Sequence, residues 1–124
     1  MLITAAVIDN DRDTVDVFAE FLRMHKVKVV AVGFDGMDAV KIYRKHKPDV
    51  VFLDLEMPRY DGIYGLREIM AINPQAIVAI ITADLNKDAE ERLSDFNPAE
   101  IIFKPFDTDK ITLFLYKIKE DKKS

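Results

Sequence analysis

The chain has no cysteine, which rules out a disulfide framework, a thiolate zinc site and a cysteine nucleophile. It has no basic excess either. The formal net charge is -4, whereas a duplex-binding surface normally carries a positive surplus or stripe, so direct nucleic-acid binding is not expected. Long apolar runs are missing too. The segment Leu2 to Ile8 is too short to span a bilayer and lacks the basic flank and small-residue cleavage site of a secretion signal. No membrane partner is therefore expected, and the cytoplasm is the default location. Linkers, low-complexity tracts and repeats are also absent, and 124 residues amount to about one domain with room for its own core.

What the chain does have is alternation. Short β-branched runs occur at Ile3 to Ile8, Val27 to Val32, Val50 to Leu53, Ile77 to Ile81 and Ile101 to Phe103. Their near-continuous hydrophobicity suits strands of a parallel sheet covered on both faces. Between them, apolar residues fall at helical spacing: Val15, Phe18 and Leu22; Ala39, Val40 and Tyr43; Ile63, Leu66 and Met70; Ile111, Phe114, Leu115 and Ile118. A shorter, highly charged segment around Ala89 and Leu93 reads as a further helix. Asp35 is placed to cap the second helix, and Pro48 and Pro74 follow the ends of the second and third. Five βα units with short connections predict right-handed crossovers and a doubly wound, three-layer α/β domain. The closing KEDKKS reads as a solvated tail.

In such a sheet a ligand site lies at the carboxyl ends of the strands. Asp9, Asn10 and Asp11 stand at the end of the first. Read alone, DNDRDTVDVFAE resembles a calcium loop, with acids at the first, third, fifth and twelfth positions. The match fails where Thr14 replaces the turn glycine and Asp16 the apolar eighth residue. A nucleotide-binding turn would offer glycines and bare N–H groups to phosphate; this one offers carboxylates, which invite a hard cation such as Mg²⁺. Helix capping by Asp11 or Asp13 is an equally good account of those two residues.

The other strand ends deliver Asp54 in DVVFLDLEMPRYDG, Thr82 in IVAIITAD and Lys104 in EIIFKPF. A carboxylate behind four apolar residues is costly unless a positive group is near. Carboxylate, hydroxyl and ammonium thus converge at one sheet edge. With the acidic cluster, Pro58 and Gly62 after Asp54, and Pro105 after Lys104, the chain resembles a response-regulator receiver domain of two-component signalling over residues 1–119, leaving 120–124 as tail.

The resemblance implies a flavodoxin-like (βα)5 fold with strand order 2-1-3-4-5. It implies a signalling role in which Asp54 accepts a phosphoryl group from a sensor histidine kinase or phosphotransfer protein. Asp9, Asn10, Asp11, Asp54 and the Glu56 carbonyl would hold Mg²⁺, and Lys104 and Thr82 would contact phosphoryl oxygens. A cis Lys104–Pro105 bond is implied as well. Output would pass to a downstream protein through the face built from the fourth helix, fifth strand and fifth helix, and a homodimer is compatible with that. Such a domain catalyses its own phosphorylation and dephosphorylation without being an enzyme in the usual sense.

Two positions depart from the family. Asn10 replaces the second acid of the usual pair, which predicts weaker metal binding. Ile101 replaces a common aromatic three residues before Lys104. Both motivate an alternative, a receiver-like interaction module that is never phosphorylated. A haloacid-dehalogenase-type phosphatase, with Asp9 as nucleophile, is a third reading; its motif wants Thr where Asp13 stands.

Overall fold

The computed structural model describes residues 2–123. The elements run β1 (Ile3–Ile8), α1 (Arg12–Met24), β2 (Val27–Gly33), α2 (Gly36–His46), β3 (Val50–Asp54), α3 (Gly62–Ile72), β4 (Val78–Thr82), α4 (Lys87–Ser94), β5 (Glu100–Phe103) and α5 (Thr108–Lys123). All strand pairs are parallel, in the order β2-β1-β3-β4-β5, as the family resemblance implies.

Strand periodicity explains why the central runs are apolar at every position. In β3, Val50 and Phe52 face a core shared with Val15, Phe18 and Leu22 of α1 and Ile111 and Phe114 of α5. Val51 and Leu53 point the other way, toward Ala39 and Tyr43 of α2, Leu66 and Ile69 of α3 and Leu93 of α4. A side chain on either face meets a helix, so neither face tolerates polarity. Phe52 is fully buried with Phe18 and Phe114 rings at 4.9 and 6.1 Å; its burial is worth roughly 2–3 kcal/mol.

The helix starts follow the local sequence. Asp35 accepts from the Asp38 N–H at the start of α2, Asp61 from Tyr64 N–H at α3, and Asn86 from Ala89 N–H at α4. Each side chain satisfies one N–H that the helix itself leaves open.

Boundaries differ from the sequence reading by a residue at several strand ends. Strand β2 runs on through Gly33, β3 and β4 close on Asp54 and Thr82, one residue past their apolar runs, and β4 begins at Val78 rather than Ile77. Strand β5 takes in Glu100. Residues 120–123, expected as tail, continue α5 while staying exposed. A physical reason is visible: Lys122 Nζ donates to Asp49 Oδ2 at 2.7 Å and to the Leu2 carbonyl at 3.4 Å, tying the last turn to the sheet. Ser124 lies outside the described residues.

Candidate functional site at the carboxyl edge of the sheet

The chain passes from β1 outward to β2 and then back across to β3, so strand order reverses between β1 and β3. The crevice beyond the ends of those two strands is where this topology places a ligand. Asp9 follows β1 directly, held by its N–H to the Gly33 carbonyl at 3.1 Å, and Asp54 closes β3. Both are almost fully buried, at 3% and 4% exposure. Two carboxylates withdrawn from water need a cation nearby.

Lys104 supplies one. Its Nζ donates to Asp9 Oδ2 at 2.8 Å and stands 3.6 Å from Asp54 Oδ1. Its place is set by backbone: Lys104 N–H donates to the Thr82 carbonyl at 2.9 Å. The Lys104–Pro105 bond is cis, and Phe106 packs edge-on against Phe18 of α1 at 4.7 Å. Burial works against the ammonium, but the Asp9 hydrogen bond and the charges of Asp54 and Asp9 outweigh it, and its pKa is raised.

One ammonium does not balance two carboxylates. Burial, then the charge of Asp9, push the Asp54 carboxyl up to about 6, against the opposing pull of Lys104 and the Glu56 N–H. A buried site with surplus negative charge and hard oxygen donors suits a divalent cation. Among the described residues no group of three or more Asp, Glu or His side chains forms a metal cage. Mg²⁺ does not require one: it is usually held by one or two carboxylates, with waters and substrate phosphate completing the set. The residues present therefore fit Mg²⁺.

The remaining predicted residues are placed as follows. Asn10, Asp11 and Glu56 are exposed beside the crevice. Asp11 occupies the cap position of α1, yet its carboxylate accepts from the Thr14 hydroxyl at 2.6 Å and not from a helix N–H; that bond holds its pKa below the usual value. Its own N–H donates to Asp9 Oδ1 at 2.9 Å, orienting the buried acid. Thr82 is fully buried, next to Asp54 through the pairing of Asp54 with Ile81. Its hydroxyl donates to the Asp84 carbonyl at 2.6 Å and lies 3.2 Å from the Asp84 N–H. An open cleft of about 440 Å³, lined by Glu56, Asp61, Asp84, Asn86 and Arg92 among others, leads away from the loops after Asp54 and Thr82.

The family model of the response regulator receiver domain matches residues 5–115. The chain belongs to that family. It is 34% identical over 96 residues to a protein-glutamate methylesterase/protein-glutamine glutaminase of Nitratidesulfovibrio vulgaris, covering 77% of this chain and 26% of that protein. It is 37% identical over 84 residues to the chemotaxis protein CheY of Listeria monocytogenes, covering 68% of this chain and 71% of that one. Among solved structures, the CheX-CheY-BeF3-Mg²⁺ complex from Borrelia burgdorferi superposes with a TM-score of 0.86 at 25% identity, over 94% of this chain and 88% of that one. The chain spans only about a quarter to two fifths of several of its curated relatives.

The chain is a receiver domain of a two-component response regulator, and its predicted site residues Asp9, Asp54, Thr82 and Lys104 stand at strand ends one, three, four and five. Ile101 is half-buried against the core beneath α4, and the aromatic Phe103 is 46% exposed on β5. No helix among the described residues is long and apolar enough to cross a membrane. One neighbour of the site was not singled out by the sequence: Phe106, signalled only as an apolar residue just past Lys104-Pro105.

Proposed function

We propose that this receiver domain is a phosphorylation switch in which Asp54 is the acceptor and Mg²⁺ the cofactor. The observation that carries the reading is Lys104 Nζ, 2.8 Å from buried Asp9 and 3.6 Å from buried Asp54. That pairing sets a fixed cation against a carboxylate that could act as a nucleophile. Bound through Asp9, Asp54 and the Glu56 carbonyl, with Asn10 and Asp11 at the rim, Mg²⁺ would neutralise the charge that otherwise repels a dianionic donor.

An Asp54 carboxylate oxygen attacks phosphorus of a phosphohistidine. The new O–P bond forms as the N–P bond breaks, and the departing imidazole keeps the electron pair and takes a proton. Lys104 is positioned to follow the phosphoryl charge, exchanging part of its bond to Asp9 for a phosphoryl oxygen; the chemistry asks for little beyond alignment and such neutralisation.

Switching follows from Thr82. In the unmodified domain its proton is committed to the Asp84 carbonyl. A phosphoryl oxygen on Asp54 is a charged and stronger acceptor. When Thr82 turns to it, the Asp84 carbonyl loses its donor, and the segment leading to the Asn86 cap of α4 is free to move. Phosphorylation so biases the α4-β5-α5 face, where Leu85, Ile101, Phe103 and Lys110 line a shallow groove, toward or away from an output protein.

The test is incubation with acetyl phosphate and Mg²⁺ followed by mass mapping of the modified aspartate. Label on Asp54, lost in Asp54→Asn, is expected. Label on Asp9 would point to the phosphatase chemistry, and no label where a known receiver is modified would make the domain a phosphorylation-independent interaction module.

A further inference from the structure

Gly36 opens α2, and its N–H is one of those a helix start leaves without an intrahelical partner. It donates at 2.6 Å to the carbonyl of Tyr60, in the loop between β3 and α3. The approach leaves no space for a side chain: a Cβ on Gly36 would stand 2.4 Å from the Asp61 carbonyl oxygen and 2.8 Å from that of Tyr60. Both are backbone atoms, and no rotamer change moves them aside. Gly36 has no positive φ, so close approach and not backbone conformation is what requires glycine here.

The loop it touches is the one that follows Asp54. Its near end is fixed to the sheet by Leu55 N–H to the Ile81 carbonyl at 2.8 Å, and its exit by Gly62 N–H to the Leu55 carbonyl at 3.0 Å. Between them Arg59 adopts φ 67, a conformation uncommon outside glycine. Gly36 is the tie from α2 that holds the far arm, and Glu56 sits within the arc so defined.

We propose that Gly36 is a positioning residue for the metal of the phosphotransfer site: its N–H and its missing side chain set the loop that presents the Glu56 carbonyl. The inference rests on the assignment of Asp54 and Mg²⁺ above. It brings α2, which supplies no reactive group, into the site, so that a displacement of its first turn changes metal affinity.

The experiment titrates Mg²⁺ alone into Gly36→Ala, following backbone amide NMR shifts, and measures the Mg²⁺ dependence of acetyl phosphate labelling. Loss of a residue supporting a metal ligand typically costs about 10–100-fold in affinity. The half-saturating Mg²⁺ concentration is expected to rise by that factor in both measurements, with the labelling rate at saturating Mg²⁺ within about threefold of wild type. Ile118→Ala is the control. Ile118 is buried in the core on the other face of the sheet, with Ile3, Leu22 and Val27, so its truncation lowers Tm and leaves Mg²⁺ binding unmoved.

A folded Gly36→Ala with wild-type half-saturation overturns the proposal, as does an equal shift in Ile118→Ala. If Gly36→Ala does not fold, hydrogen exchange of the wild-type Gly36 amide decides. Reciprocal coupling requires that exchange to slow as Mg²⁺ binds, and unchanged exchange at saturation overturns the proposal. A wild-type chain that binds no Mg²⁺ and takes no label on Asp54 would instead defeat the underlying functional reading.

Discussion

In metal-free buffer, Asp54→Asn should make the fold more stable while removing the group proposed to accept phosphate. The carboxyl is raised from 3.8 to about 6, chiefly by burial. At about 1.4 kcal/mol per pK unit, ionised Asp54 would cost the native state roughly 3 kcal/mol. Solvent at the mouth of the crevice screens part of that, which leaves about 1–2 kcal/mol. The native state holds this proton more tightly than the unfolded chain does, so the penalty is complete above a pH of about 7 and fades as pH falls through about 6 toward about 4. Urea denaturation of both proteins in EDTA checks this. The variant should gain about 1–2 kcal/mol near pH ~8 and almost nothing near pH ~4. A variant no more stable than wild type at the higher pH, or an equal gain at both, would refute the claim that Asp54 is ionised against its surroundings.

Two further outcomes follow from the same pocket. Lys104→Met leaves Asp9 and Asp54 facing each other without the ammonium; its side chain is 26% exposed, so about 1–3 kcal/mol of stability should be lost by urea denaturation, and acetyl phosphate labelling should slow by roughly a hundredfold. Asn10→Asp adds a charge beside the crevice and should lower the half-saturating Mg²⁺ concentration for labelling by roughly threefold to tenfold.

The sheet was legible in the sequence because a strand covered on both faces must be apolar throughout, and Val50 to Leu53 and Ile77 to Ile81 stand out for that reason. The candidate site was legible because Asp54 and Lys104 each break such a run with a charge. The partner that each side chain takes was not. Nothing in the sequence says that Lys104 lies nearer to Asp9 than to Asp54, that the Asp11 carboxylate turns to Thr14, or that Lys122 finds Asp49. Gly36 was the least visible of all, since a glycine needed for space leaves no periodicity and no charge behind. The boundary at α5 was missed for a related reason: a lysine-rich end looks solvated until the acid it pairs with, Asp49, is placed beside it.

Lys122 reaches the Leu2 carbonyl, so the two extremities of the described chain sit side by side at the sheet edge remote from Asp54. Polypeptide can be joined at either point, or the whole unit spliced into a host protein, without any strand having to cross the crevice between Asp9 and Asp54. A fusion at either extremity therefore enters the domain on the side away from Asp54.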